Sequence, residues 1–382
     1  TGNARIQSLD VLRGVATLMI FVVNIKMMAN GFNHYTDRTL WAGESAQVIG
    51  YLHNLLVHGK FVTIFTALFG AGLALLLARE EPVPLVTVIR RLFWLAVFGI
   101  LHLVFIREGD ILVLYALVGC VAIPFVRMSG PLLLTLGVAG QAMLFVASIA
   151  FPIRFGEVPI LWQTGPDMHL AVQRIMMGTF VEQVSARIDT LNFYLVELFL
   201  FGRDWFDKLT VMVIGMGLLK TGFLTGQLSP RLYWRIGFAS LASALLLVGF
   251  RLMGGAEWPF GDVVLSGLWI LHRFGGALAW SALIIGAVAA GWKVRAGAAV
   301  GRMAFTIYIA QSVVGLALFS SLGLGLFGKL SLPSLTLLTA LICASFLGLA
   351  PLWLARYRFG PLEWLWRTLT YGKRPRLAQS SV

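Results

Sequence analysis

Charge is scarce in this chain. Asp, Glu, Lys and Arg make up 12% of its 382 residues, about half of the roughly 25% that covers a soluble surface, so most of the exterior must face something other than water. Cysteine is nearly absent. The two present, Cys120 and Cys343, lie inside apolar runs, which excludes a disulfide scaffold and makes small packing residues a better account of them than a metal pair or a nucleophile. Low-complexity tracts and internal repeats of about 20 to 50 residues are lacking as well. What is abundant is hydrophobicity, at 58% of residues. That composition excludes a soluble globule, a disordered chain and a coiled coil, and points to a membrane protein.

A bilayer core of about 30 Å needs roughly 20 mostly apolar residues per helical span. Counted that way, the chain is expected to be all-α, a polytopic integral membrane bundle of about ten transmembrane helices. They fall near residues 9–28, 58–78, 91–107, 110–127, 131–152, 206–225, 232–252, 263–290, 303–322 and 334–355. Runs such as 61–78 are continuous, whereas barrel strands would alternate over about ten residues, so a barrel is excluded. The first run carries Asp10 and Arg13 and lacks a small-residue cleavage site, so it reads as a retained span rather than a signal peptide. Residues 1–382 are expected to form a single transmembrane domain.

The formal net charge is +13, from 30 Lys and Arg against 17 Asp and Glu. Its placement decides its meaning. One set of span ends collects 17 bases and 4 acids, the other 9 bases and 13 acids, while Arg13, Lys26, Lys60 and Arg273 lie near membrane depth. Basic ends stay cytoplasmic during insertion, so both termini are expected inside, with 356–382 as a basic cytoplasmic tail. The longest polar stretch, 153–192, is then extracytoplasmic, as a loop or an amphipathic segment, with a lid over a site as a further option. A charge distributed in this way is topological. It calls for no nucleic acid, and the expected partners are membrane lipids, whose anionic headgroups suit Arg374 and Arg376.

A charged side chain at the bilayer centre costs at least about 2.5–3.5 kcal/mol, so the intramembrane polar residues are the functional candidates. Several have local explanations. Asp10 and Arg13 share a helix face and can form an ion pair, Lys60 beside His53 and His58 can snorkel, and Asp110 can cap the helix it opens. His102, about 6 Å below the end of its span, can bond a neighbouring carbonyl. Taken together, however, Asn24, Lys60, His102 and Asp110 come from four spans at similar depth. A shared polar cavity open to the outside is less costly than four separate exposures to lipid. The short turn between His102 and Asp110 makes their spans antiparallel neighbours and brings the two within hydrogen-bond reach. His272 and Arg273 are expected in the cytoplasmic half of the same cavity, unless Arg273 pairs with a carboxylate that spacing does not identify. No metal is expected.

These residues carry a resemblance. Leu9-Asp10-Val-Leu-Arg13-Gly14, Val-Asn24-Ile, Lys60-Phe with Leu68-Phe-Gly-Ala-Gly72, Gly99-Ile-Leu-His102 with Gly109-Asp110-Ile-Leu, Gly301-Arg302-Met-Ala and Gly360-Pro-Leu-Glu363-Trp-Leu-Trp resemble the YeiB family of bacterial inner-membrane proteins. The match runs in order from residue 5 to about 372. It implies a multi-pass protein of the bacterial inner membrane whose biochemical activity is poorly defined. One departure stands out: where the family continues with Asn-Tyr-Leu, this chain reads Ile307-Tyr308. A more distant similarity, through the Leu-Asp-x-x-Arg-Gly opening, reaches the lysosomal heparan-glucosaminide acetyltransferases and the bacterial enzymes that O-acylate envelope sugars. Those proteins move an acyl group from cytosolic acyl-CoA to an acceptor across the bilayer. The envelope enzymes place a His eleven residues after the first-span Arg, and this chain has Asn24 there, which cannot act as a base.

Two functions follow as expectations. The first is a transmembrane acyltransferase with acyl-CoA as donor, in which His102 is the base, Asp110 orients it, and Lys60 or Asn24 stabilises the oxyanion. Arg13, Arg90, Arg91, His272, Arg273 and Arg302 would then bind the acceptor or CoA, with Arg295 adding to the basic end. The second is a transporter or channel for a small anion or metabolite, with no bond made or broken; the lack of a visible inverted repeat counts against it. Either function takes a small-molecule substrate. Gly70, Ala71 and Gly72 permit close helix packing within the chain or between copies, so a homodimer is a further expectation.

Overall fold

The structure is a computed structural model that describes residues 6–36, 43–77, 83–155, 174–189, 203–254, 258 and 261–379. Apart from one bridge between Tyr357 and Ala378, the regular structure of these residues is helical. In order, the helices are α1 (Gln7–Thr36), α2 (Glu44–Leu56), α3 (Lys60–Leu77), α4 (Leu85–Phe105), α5 (Leu112–Ala122) and α6 (Gly130–Phe155). Two shorter ones follow, α7 (174–177) and α8 (180–189). The remainder are α9 (Arg203–Lys220), α10 (Pro230–Leu252), α11 (Gly261–Ala289), α12 (Arg295–Arg302), α13 (Ala304–Phe319), α14 (Leu332–Arg356) and α15 (Pro361–Tyr371).

Each of the ten apolar runs coincides with helix. Seven helices among the described residues are long and apolar enough to cross a membrane, or eight if α12 and α13, bent by 83°, count as one span. The shortfall from ten has physical causes. The run 110–127 is divided between the 11-residue α5 and a 3-10 turn over Ile123–Arg127, and the run 206–225 is α9, with Asp204, Asp207, Lys208 and Lys220 along its 18 residues. Helix α2 was not foreseen; it continues into α3 through Gly59 at φ 77°, and the two pass together as one long apolar stretch, Glu44–Leu77. Of the polar stretch 153–192, residues 156–173 and 190–192 lie outside the described residues.

Helices in lipid gain nothing from hiding apolar surface, so their contacts depend on close approach at small residues. Two such crossings organise the bundle. A Cβ on Gly14 would lie 2.0 Å from the Gly297 carbonyl oxygen, and one on Gly301 would lie 1.8 Å from that of Asp10. The Asp10-to-Gly14 and Gly301-Arg302 motifs are therefore the two halves of one α1–α12 crossing. The second joins α3 to α9, where a Cβ on Gly70 would lie 2.1 Å from the Met212 oxygen and one on Gly215 would lie 1.9 Å from that of Ala67. Gly70 is thus used within the chain, while Gly72 has open space beside it.

Candidate functional site

Helix α4 ends in a tight turn, with the His102 carbonyl accepting from Ile106 N at 2.9 Å and Arg107 N at 2.8 Å. Gly109 follows at φ 77°, a left-handed conformation open to a residue without Cβ. The chain then reverses into α5. Asp110 Oδ2 accepts from Leu112 N at 2.7 Å and Val113 N at 3.1 Å, so the carboxylate caps α5. Its Oδ1 lies 2.8 Å from His102 Nδ1 and accepts from the Tyr308 hydroxyl at 3.4 Å. Four donors thus surround the carboxylate, about as many as it can accept. An ionised carboxylate only accepts, so Nδ1 carries a proton, and in the neutral imidazole the lone pair is then on Nε2. The His102 and Asp110 side chains are 1% and 0% exposed, and Nε2 has no hydrogen-bond partner. A buried polar atom without a partner costs about 1–3 kcal/mol. The arrangement holds a base-competent imidazole with one nitrogen anchored and the other unoccupied.

Lys60 belongs elsewhere. Its ammonium donates to Asn54 O at 3.0 Å, His58 O at 3.3 Å and His272 Nε2 at 2.7 Å, so all three donors are committed. His272 Nδ1 donates to the Ala244 carbonyl, and Nε2, 2.7 Å from Lys60 Nζ, also lies 3.0 Å from Asn54 O. Gly276, one turn beyond His272, makes room for the lysine stem: a Cβ there would lie 2.5 Å from Lys60 Cε. Lys60 therefore turns inward to join α2, α3 and α11 rather than snorkelling. No hydrogen bond among the described residues links this cluster to His102 and Asp110. The single cavity expected for Asn24, Lys60, His102 and Asp110 is replaced by two separate polar groups, and Asn24, half-buried on α1, bonds to neither.

Arg273 has the carboxylate that spacing did not identify. It grips Asp207 of α9 bidentately, with Nη1 donating to Oδ2 at 2.9 Å and Nη2 to Oδ1. Lys208 Nζ reaches Oδ2 at 2.8 Å, and Gln141 Nε2 reaches Oδ1 at 3.1 Å. A bidentate, desolvated pair of this kind locks α11 to α9 and α6. His272 and Arg273 thus bind neighbouring helices, and the cytoplasmic half-cavity expected of them is occupied by their own partners. Nothing in the spacing of Asp207, Gln141 or Tyr308 signalled these contacts.

At the opposite end of α1, Arg13 lies 3.7 Å from Asp10, the local pair expected from their spacing. Arg91 stacks on Trp366 at 3.7 Å from the ring centre, and Arg90 is exposed. Arg302 reaches the Arg358 carbonyl at 3.4 Å and borders, with Gln7, Arg295, Pro351 and Leu354, a cleft of about 360 Å³. Glu363 clamps the bend. It accepts from Phe305 N at 2.8 Å, Thr306 N at 3.1 Å and the Thr306 hydroxyl, capping α13 from another helix. Ile307, at the position of the family's Asn, is buried in an apolar core. Among the described residues no group of three or more His, Cys, Asp or Glu could hold a metal ion.

The family described as "Protein of unknown function (DUF418)" matches residues 218–373, the part that holds α10 to α15. The uncharacterized protein YeiB of Escherichia coli K12 is 30% identical, with 95% of each chain covered. The uncharacterized protein YxaH of Bacillus subtilis 168 is 28% identical, covering 97% of this chain and 95% of its own. An uncharacterized 39.9 kDa protein from the amylase 3' region of Bacillus acidopullulyticus has the same identity and coverage. With nearly the whole length aligned at that identity, this helical membrane protein belongs to the YeiB family.

Proposed function

We propose that the chain is a transmembrane acyltransferase that moves an acyl group from cytosolic acyl-CoA to an acceptor hydroxyl or amine at the His102 end of the bundle. One observation supports this above the rest: His102 is anchored through Nδ1 to a fully engaged Asp110, while Nε2 is buried and unpartnered. In this reading Nε2 takes the acceptor's proton as its oxygen or nitrogen attacks the thioester carbonyl carbon. The tetrahedral intermediate then expels the CoA thiolate, and the imidazolium returns the proton to sulfur. Asp110 holds the tautomer and offsets the charge of the imidazolium.

The other expected roles shift with the geometry. Lys60 has no donor left for an oxyanion, and Asn24 does not approach His102 by any hydrogen bond. For the CoA phosphates, Arg302 and Arg295 beside the cleft and the exposed Arg90 are better placed than Arg91, which is committed to Trp366. In the same reading the protein lies in the bacterial inner membrane with both termini cytoplasmic and α7 and α8 outside, and its partners are lipids and a small-molecule acceptor. A homodimer would need a surface other than Gly70.

A transporter is the second reading, and the 83° break between α12 and α13 favours it, because broken helices line many transport sites. Against it, the N-terminus of α13 is already capped by Glu363. The deciding experiment measures acyl transfer from labelled acyl-CoA and substrate uptake side by side in His102→Asn. Loss of transfer by roughly 10² to 10⁴ is expected, the usual worth of a general base. Near-normal transfer would remove His102 from the mechanism, and retained uptake without any transfer would favour the transporter.

A further inference from the structure

At the end of α4 and on α13 and α8 lie buried donors that the proposed chemistry does not use. Arg107, at the end of α4, is 4% exposed, pairs with no carboxylate among the described residues, and has an unpartnered Nε. Its backbone N–H donates to the His102 carbonyl at 2.8 Å, and the ring of Tyr308 is centred 5.2 Å from that of His102. One turn further along α13, Gln311 is 2% exposed with Nε2 unpartnered. Residues three apart share a helix face, so Tyr308 and Gln311 address the same side. Arg187 of α8 is fully buried. It donates through Nη2 to Gln183 Oε1 at 3.1 Å and Ile175 O at 3.3 Å, stands 4.0 Å from Glu108, and leaves Nη1 without a partner.

The imbalance is chemical. Unpartnered N–H groups on Arg107, Gln311 and Arg187 outnumber the single unpartnered acceptor, His102 Nε2. A guanidinium removed from water without a counter-charge is strongly unfavourable. Asp110 can offset part of this charge through space but takes no hydrogen bond from the guanidinium, because its acceptor positions are filled by His102, Tyr308 and two backbone N–H groups. An oxygen-rich anion would satisfy both the donors and the charge, and guanidinium forks suit carboxylate and phosphate.

We infer that Arg107 and Gln311 form a binding site for a carboxylate or phosphate oxyanion next to His102 Nε2. As the anchor of an acyl acceptor, this rests on the acyl-transfer reading; as a binding site, it is tested without it. An acceptor held in this way carries its anion on Arg107 and presents a hydroxyl or amine to the imidazole.

The test follows thermal unfolding of the purified protein in detergent, at constant ionic strength, against sodium phosphate and against sodium acetate, with chloride as background. A parallel arm compares nanodiscs of phosphatidylcholine with and without phosphatidylglycerol. The expected result is a saturable rise in Tm with a soluble anion, or a rise that requires phosphatidylglycerol, which would identify the oxyanion as a lipid headgroup. In Arg107→Met the rise should vanish or need at least tenfold more anion. The anion-free Tm should be no lower than that of the parent, since replacing an unpaired buried charge by an apolar side chain removes a penalty. If that variant does not fold, Gln311→Leu should still weaken the response several-fold. No saturable response in any arm, or one unchanged in both variants, overturns the inference. His102→Asn separates the two ideas: it should keep the anion response while losing acyl transfer. An anion response in a protein without transfer activity removes the enzyme and leaves the site.

Discussion

Gly99 and Asp110 face each other across the α4–α5 turn so closely that a Cβ on Gly99 would lie 2.7 Å from Asp110 Oδ2 and 2.8 Å from Val113 N. Gly99 is one turn before His102, so this contact sets the separation of the two helices where the imidazole meets the carboxylate. Gly99→Ala should force α5 outward, with an overpacking cost of about 1–3 kcal/mol. Acyl transfer should fall further than that loss of stability explains. A variant with the parent's Tm and turnover would show that the close approach is dispensable.

Asp110→Asn should be nearly as damaging to transfer as removing His102, since an amide can donate to Nδ1 and so favour the wrong tautomer. Tyr308→Phe deletes only a long hydrogen bond of 3.4 Å, worth about 1 kcal/mol or less, and so should lower turnover less than about tenfold. Single-turnover rates on the two variants check the order; equal effects would mean that Tyr308 does more than support Asp110.

Lys60→Met should lower stability by about 1–3 kcal/mol, because it removes the donor shared by Asn54 O, His58 O and His272 Nε2, of which Asn54 O and His272 Nε2 still lie 3.0 Å apart. Asp207→Asn should cost about 3–5 kcal/mol by stripping Arg273 of its counter-charge. In both, the transfer rate per folded molecule should be close to the parent's. A Lys60→Met protein that is stable and catalytically dead would return Lys60 to the site.

Glu363 supplies a pH dependence. Burial pushes its carboxyl above the ordinary value of 4.5, with hydrogen bonds from Thr306 and Phe305 opposing the shift. The folded state therefore keeps this proton to higher pH than the unfolded chain does. The contribution of this residue to stability is fullest below 4.5 and declines as pH rises through the folded value. Glu363→Gln, which resembles the protonated form, should flatten that part of the stability profile. The same slope in both proteins would show that another group is responsible. Glu363→Ala should cost about 1–2 kcal/mol through the lost cap.

The proposed orientation predicts that Val181→Cys on α8, in a Cys120→Ser background, reacts with a membrane-impermeant maleimide in spheroplasts. Val181 is 74% exposed. Cys120, the exposed native thiol, must be absent for the reading to be clean. Labelling that requires lysis would invert the orientation and place the His102 end in the cytoplasm.

Position along a helix was legible in the sequence; rotation about its axis was not. Asp110 meets His102 because eight residues and one tight turn leave them no alternative, and Asp10 meets Arg13 through a three-residue spacing. By contrast, Lys60 and His272 are 212 residues apart, Arg273 and Asp207 66 apart, and Tyr308 and Asp110 198 apart. Each of these meetings depends on which way a helix faces, which is set by crossings such as Gly14 on Gly301. Residues at similar positions along their helices can therefore belong to different groups, as Lys60 and His102 do. The ten apolar runs were found because lipid demands them, but the bend at Met303 was not, since α12 and α13 are joined without a Pro or a charge run to mark the corner.

That corner also sets a length. Helix α13 has 16 residues, about 24 Å at 1.5 Å per residue, roughly 6 Å short of an average hydrocarbon core. A span this short thins the surrounding bilayer or draws it inward at one end, at a fraction of a kcal/mol per Å of mismatch. Tyr308 and Gln311 lie on this same helix, so the acyl-chain length of the host lipids acts directly on the segment that faces His102. In the proposed orientation, with α13 as a span, bilayer thickness becomes a physical variable of the site, and thin, short-chain membranes are expected to hold α13 with the least distortion.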